Sequence, residues 1–179
     1  MVPAVERILL HRHCPQCGAE PMEIRLPHLT ICGTCGLHLY HNAAAAVAAI
    51  IVDADNQTLL IRRAHEPGQG KLAFAGGFID NGESIETGLR REVREEIGLE
   101  LADLQFLVSH PNTYPYRGVI YHTIDVFFVA PVTTFHCARP LDAVAELVII
   151  PIRDVRADDL AFVSMQAAWR AFRGGQSST

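Results

Sequence analysis

The chain has 179 residues, 49% of them hydrophobic and 20% charged, with a formal net charge of −5 and a pI near 6.0. That is enough apolar material for the core of one ordinary domain plus a small appendage, and the acid excess gives no general attraction to nucleic acid. The longest apolar run, Ala43 to Val52, is about half of a membrane span, and Glu6 and Arg7 interrupt any leader-like N-terminus, so a cytoplasmic protein with no membrane partner is expected.

In chain order, residues 1–40 carry Cys14-Pro-Gln-Cys17-Gly18 and Cys32-Gly-Thr-Cys35-Gly36 with fourteen residues between the pairs. Two knuckles ending in glycine suit four thiolates placed tetrahedrally around one Zn²⁺, and a closed Cys₄ shell leaves no open position, which makes the role structural. A redox Cys-x-x-Cys is the competing reading. His11, His13, His28, His38 and His41 surround the motif but are surplus to a complete shell, and Cys137 has no partner motif.

Ala43 to Val52 then reads as a buried strand, Asp53-Ala-Asp-Asn-Gln57 as a turn, and Thr58 to Arg63 as the returning strand. Pro67 to Gly70 is a loop, Leu72 to Phe74 a short strand, and Gly76-Gly77 a point of close backbone approach. Ser84 as an N-cap and Gly98 just past a C-terminus bound a helix of three to four turns. On that helix Glu92, Glu95 and Glu96 share one face, where hard oxygen donors suit a cation such as Mg²⁺ or Mn²⁺. A solvated acidic face is the alternative.

Beyond the helix, Leu104 to Ser109 and Val119 to Ala130 are expected as strands joined by a loop rich in Pro and Tyr. Val144 to Ile152 is expected as another strand, and Val163 to Phe172 as an amphipathic helix burying Trp169 and Phe172. Residues 173–179 are expected to be a disordered tail. Strands, a helix and more strands indicate a mixed α/β arrangement.

The spacing of Gly77, Glu83, Arg91, Glu92, Val93, Glu95, Glu96, Gly98 and Leu99 resembles the Nudix hydrolase signature at every specified position. The resemblance implies an α/β/α sandwich with a mixed sheet over residues 41–172, preceded by the zinc ribbon at 1–40. It also implies hydrolysis of a nucleoside diphosphate linked to another moiety. By the same resemblance Glu92, Glu95, Glu96 and the carbonyl of Gly76 hold the catalytic metal, and Glu83 with Arg91 forms a supporting salt bridge. Glu146 stands where many relatives carry a further metal-binding or base carboxylate, with Asp142 as a weaker competitor.

A ribbon ahead of such a domain resembles the NADH pyrophosphatase branch. At the position of that branch's Ser-Gln-Pro-Trp-Pro-Phe-Pro motif this chain has Ser109-His-Pro-Asn-Thr-Tyr114-Pro-Tyr116, which keeps the opening Ser and Pro and lacks the Trp. Tyr114 and Tyr116 are candidates to stack on a base or nicotinamide ring, or to serve a structural role at the strand junction. Phe78 and Tyr40 match positions that sandwich adenine across a dimer interface in that branch, which would make the protein a homodimer; core and ribbon packing are their alternatives. NADH, NAD⁺, ADP-ribose and FAD are the candidate substrates. A non-catalytic nucleotide-sensing or protein-binding module and an RNA cap hydrolase are the competing functions.

Overall fold

The computed structural model describes residues 13–176 apart from Pro21, Pro27 and Gly118. His11 and the end of the expected tail, residues 177–179, lie outside the described residues. Two compact units divide the chain, one with the residues up to Ala43 together with Thr113–His122, the other with Ala44–Asn112 and Thr123 onward.

In the first unit, β1 (Met22–Leu26), β2 (Leu29–Cys32) and β3 (His38–Tyr40) form an antiparallel sheet in the order β1-β2-β3. Among the described residues its apolar nucleus is small, Cys14, Met22 and Cys32 with Ala19, Leu37 and Leu39 packed against them, so these strands depend on something other than core burial. Thr30, almost fully buried, hydrogen-bonds His41 at 2.7 Å, and His13 pairs with Glu20 at 2.6 Å; two of the surplus histidines thus have partners of their own.

The second unit is built on β4 (Ala44–Val52), whose unbroken apolar run is what a strand buried on both faces requires. β4 pairs in parallel with β9 (Val119–Pro131) and antiparallel with β5 (Gln57–Arg63) and β7 (Ala75–Phe78). The sheet order is β10-β5-β4-β9-β8, with β8 spanning Gln105–Tyr116 and β10 Val144–Pro151, and β6 (Leu72–Ala73) pairs with β5. The β4–β5 turn closes as the residues demand: Asp53 Oδ1 accepts from the amides of Asp55 and Gln57, and Asn56 takes φ +57°.

The helix α1 (Ile85–Ile97) has the caps read from its residues. Ser84 Oγ accepts from the Thr87 amide at 3.2 Å, and Gly98 at φ +71° donates to the Arg94 carbonyl. Its Leu89, Val93 and Ile97 enter the core, while helix α2 (Val163–Gln176) contributes Trp169, whose ring lies 6.1 Å from Phe74 and 5.3 Å from Phe172.

Two expectations change. The Pro/Tyr segment is no loop: β8 runs through it to Tyr116 and turns at Arg117, φ +48°. Pro111 and Pro115 are tolerated because β8 is the sheet's edge, where a missing N–H costs no ladder bond. The expected tail is helical through Gln176, and Arg173 Nη1 donates to the Ile152 carbonyl at 2.7 Å, which ties the last turn down.

Candidate active site and metal centre

The β7 backbone reaches the acidic helix because its two glycines carry no side chain. Gly76 sits at φ +147°, and a Cβ there would fall 2.1 Å from the Val47 carbonyl oxygen. So placed, its amide N–H donates to Glu96 Oε2 at 2.8 Å. At Gly77 a Cβ would fall 2.4 Å from Glu92 Oε2, so the Glu92 carboxylate fills the room that the missing side chain leaves.

Glu96 is deeply set, and burial pushes its carboxyl up to about 8; the Gly76 amide and the charge of Arg63 pull the other way, and the charges of Glu92 and Asp142 add to the rise. Burial also raises Glu92, against the pull of Arg91. Arg91 is the hub of the remaining acids. Its Nε and Nη2 hold Glu83 in a two-pronged bridge at 2.8 and 2.9 Å, and its Nη1 reaches Glu92 at 2.8 Å and Glu95 at 3.1 Å. Nη2 also donates to the Phe78 carbonyl at 3.0 Å. Arg91 holds Glu83 far below the usual carboxylate range, at about 2, and the three acids, Glu83 foremost, raise the guanidinium in return.

Glu96 has no contact with that hub. Glu92 and Glu95 turn to Arg91 while Glu96 turns to Gly76, and among the described residues the helix carboxylates do not gather their oxygens within 4.8 Å of one another. The donor set still fits a hard divalent cation, which takes one or two protein carboxylates and fills its shell with water and phosphate oxygens. It is the Gly76 amide, rather than its carbonyl, that the structure shows engaged.

The segment after β9 completes the helix's C-terminus. The amides of Arg139, Leu141 and Asp142 donate to the carbonyls of Ile97, Glu96 and Glu95 at 3.0, 2.9 and 3.4 Å, partners that a helix end otherwise lacks. Asp142 is thereby brought close enough for its charge to act on Glu96. Glu146, one bulge further along β10, is exposed and ion-paired to Arg62 Nε at 2.7 Å.

The aromatic candidates sit on strands. Phe78 ends β7 at 38% exposure, and Tyr40 ends β3 at 56%. Tyr114 and Tyr116 lie on one face of β8 with ring centroids 6.4 Å apart, and the Arg117 guanidinium stands 5.4 Å over the Tyr116 ring.

The four knuckle cysteines come together. Their sulfurs all lie within 4.8 Å of one another, Cys14 to Cys35 at 3.6 Å and Cys17 to Cys32 at 3.7 Å. A tetrahedral ion with metal–sulfur bonds of about 2.3 Å places its sulfurs about 3.8 Å apart, so the four thiols fit one metal ion. Each knuckle closes on its glycine: Gly18 and Gly36, both at φ +74°, donate to the carbonyls of Cys14 and Cys32. The amides of Cys35 and Thr34 draw the Cys32 thiol down to about 6, toward the thiolate that a metal requires.

One cluster escaped the sequence reading. Asp125, in the middle of β9, is 9% exposed and is surrounded by Asn112, Thr123 and Ser164. Its only local signals are an acid at the start of the apolar half of β9 and Thr123 two residues before it; Asn112 and Ser164 are 13 and 39 residues away.

A family model described as the NUDIX domain matches residues 42–168. Among curated relatives, the "NAD-capped RNA hydrolase NudC" of Pseudomonas aeruginosa is 30% identical over 106 residues, 59% of this chain and 37% of that protein. The "ADP-ribose pyrophosphatase" of Methanocaldococcus jannaschii is 40% identical over 96 residues, 52% of this chain and 54% of its own. The match thus spans about a third to a half of these relatives' length. A solved NUDIX hydrolase from Nitrosomonas europaea superposes with a TM-score of 0.69 at 24% identity, covering 88% of this chain and 87% of the other. The NUDIX domain of Shewanella oneidensis NrtR, solved with ADP ribose, gives 0.63 at 21% identity, covering 76% and 90%. At these identities the likeness is one of fold.

Proposed function

Starting from the fact that this chain belongs to the Nudix family, we propose that it hydrolyses the pyrophosphate bond of a nucleoside diphosphate linked to another moiety, with NADH, NAD⁺ and ADP-ribose as first candidates and FAD behind them. The observation that carries this reading is Glu96, a deeply set carboxylate with Glu92 and Asp142 bearing on it, a backbone amide as its hydrogen-bond partner, and too little help from the charge of Arg63 to offset its burial. Such a group is costly unless a cation answers it.

Mg²⁺ or Mn²⁺ bound there would screen the phosphates and make water a better nucleophile. The chain's own residues set the stage. Glu96, Glu92 and Glu95 hold the metal; the two-pronged Arg91–Glu83 bridge fixes the strand-to-helix loop and turns Glu92 and Glu95 toward one side of α1. Gly76 and Gly77 let β7 lie close against β4 and against the Glu92 carboxylate, which sets the acids beside the strand. A carboxylate from outside the helix, Glu146 or Asp142, accepts the proton of the attacking water. Water oxygen bonds to one phosphorus, the bridging oxygen leaves with the other, and two phosphomonoesters result.

Phe78, Tyr40, Tyr114 and Tyr116 offer ring faces to the base or nicotinamide, and an adenine held between Phe78 and Tyr40 of two copies would make the protein a homodimer. Zn²⁺ held by Cys14, Cys17, Cys32 and Cys35 folds the ribbon and takes no part in the reaction. Among the described residues no helix is long and apolar enough to cross a membrane, and thiols kept for metal belong to a reducing compartment such as the cytoplasm.

Removal of an NAD cap from RNA is the second reading, favoured by the printed name of the Pseudomonas relative; it attacks the same anhydride. The net charge of −5 argues against long contact with an RNA backbone.

The test is phosphate release, with added phosphatase and Mg²⁺ or Mn²⁺, from NADH, NAD⁺, ADP-ribose, FAD and NAD-capped RNA, with Glu96→Gln alongside. Turnover of one bridged diphosphate that falls by roughly a hundredfold or more in the variant supports the hydrolase. No turnover of any would move the reading to a sensor or scaffold.

A further inference from the structure

β7 begins at Ala75, one residue before the amide that meets Glu96. Just upstream the chain changes partners: Ala73 of β6 is in register with Ile61 of β5, whereas Ala75 is in register with Ala49 of β4. Phe74 lies between the two ladders and in neither strand, so the packing of its side chain holds the crossing in place. Its ring is 1% exposed and meets two other aromatics, Phe127 of β9 edge-on at 6.2 Å and Trp169 of α2 at 6.1 Å. Phe127 belongs to the same row of the sheet as the amide itself, since Ala48 of β4 is the register partner of both Gly76 and Phe127.

The two elements that carry these aromatics are tied together by a buried carboxylate. Asp125, two residues before Phe127 and on the same face of β9, accepts at 2.6 Å from Ser164 Oγ in the first turn of α2. Asn112 and Thr123 donate to it at 2.9 and 2.6 Å. An apolar residue would pack there without the cost of lost hydration, so what the carboxylate adds is a directed joint between β9 and α2. Further along α2, Trp169 Nε1 donates to the Val155 carbonyl at 3.3 Å, which fixes the indole where it meets Phe74.

We propose that Phe74 is a positioning residue for the metal centre: packed against Phe127 and Trp169, whose elements Asp125 joins, it fixes the start of β7 and so where the Gly76 amide meets the Glu96 carboxylate. This rests on the reading of Glu96 as a metal ligand. It makes Asp125 and Ser164 the outermost support of that site.

Mn²⁺ titration and hydrogen exchange on Phe74→Leu, Ser164→Ala and Phe172→Leu test it. Phe172→Leu is the control for mere loss of core, because its ring is also buried and meets Trp169 at 5.3 Å. The dissociation constant for Mn²⁺ should rise about tenfold in Phe74→Leu and about threefold in Ser164→Ala, and stay within about twofold of wild type in Phe172→Leu. Without metal, amide exchange at residues 75–78 should quicken in the first two variants and not in the control. Wild-type affinity in Phe74→Leu or an equal loss in Phe172→Leu would overturn the inference, as would unchanged exchange at residues 75–78. If Phe74→Leu does not fold, Ser164→Ala, which leaves every ring in place, decides. Should the wild type bind no Mn²⁺, the metal reading fails, and the exchange comparison alone decides whether Phe74 sets the start of β7.

Discussion

The Gly76 amide donates to the Glu96 carboxylate at 2.8 Å across twenty residues of chain, and with the Arg91 bond to the Phe78 carbonyl it joins the strand β7 to the acidic face of α1. It is a weak answer to a buried negative charge. Burial wins over it, and the carboxyl is pushed up to about 8.

The sign of the consequence follows. A carboxyl whose pKa is higher folded than unfolded adds nothing unfavourable below the unfolded value near 4.5 and destabilises progressively as pH rises through about 8. The metal-free protein should therefore lose stability between pH 4.5 and 8, with an upper limit of about 5 kcal/mol from this group. Glu96→Gln should raise the melting temperature of the metal-free protein at pH 8, leave it unaltered near pH 4.5, and abolish the gain on adding Mg²⁺. Scanning calorimetry at the two pH values, with chelator and with Mg²⁺, reads all three effects; a variant that melts below wild type at pH 8 would contradict the argument.

Gly76 and Gly77 should differ sharply when each is changed to Ala. At Gly76 the new methyl meets backbone, 2.1 Å from the Val47 oxygen, on a φ that disfavours L residues, so a loss on the order of 3 kcal/mol or more is expected. At Gly77 it meets only the end of the Glu92 side chain, which can swing away. Gly77→Ala should stay folded and bind Mn²⁺ roughly tenfold more weakly. Urea denaturation and Mn²⁺ titration calorimetry separate the two.

Asp142 and Glu146 compete for the role of the carboxylate outside the helix. Asp142 is held by its own amide against the Glu95 carbonyl, and its charge bears on Glu96; Glu146 is engaged with Arg62. Asp142→Asn should lower turnover and Mn²⁺ affinity by about tenfold, whereas Glu146→Gln, the loss of an exposed pair, should cost less than about threefold. The reverse ranking in steady-state kinetics would restore Glu146 to the role.

Removal of the ribbon's metal should act locally. Among the described residues the sheet β1–β3 has a nucleus of three buried residues, so a metal ion held by the four cysteines, worth about 10 to 16 kcal/mol, would be its principal support. Cys14→Ser, or exhaustive chelation, should reduce bound zinc from one per chain to none and release amide protection across residues 22–40. Protection in β4 and β5, which rest on the large core, should persist. Elemental analysis with hydrogen exchange tests it; loss of protection throughout the chain would show that the ribbon is required for the whole fold.

What the sequence determined by itself was everything encoded by neighbours. The caps Ser84 and Gly98, the face of Glu92, Glu95 and Glu96 and the two cysteine knuckles depend on spacings of a few residues, and periodicity converts those directly into geometry, whereas the Glu83–Arg91 bridge was legible only through the family resemblance. What only the tertiary structure decided involves partners far apart in the chain. Pro111 and Pro115 argue locally for a loop, and only the edge position of β8 in the sheet lets a strand keep them. Asp142 comes near the acids of α1 because the segment after β9 returns to the end of that helix. The burial of Glu96 and the Asn112 and Ser164 donors to Asp125 arise the same way, since the solvation of a charge is set by whatever the fold brings against it.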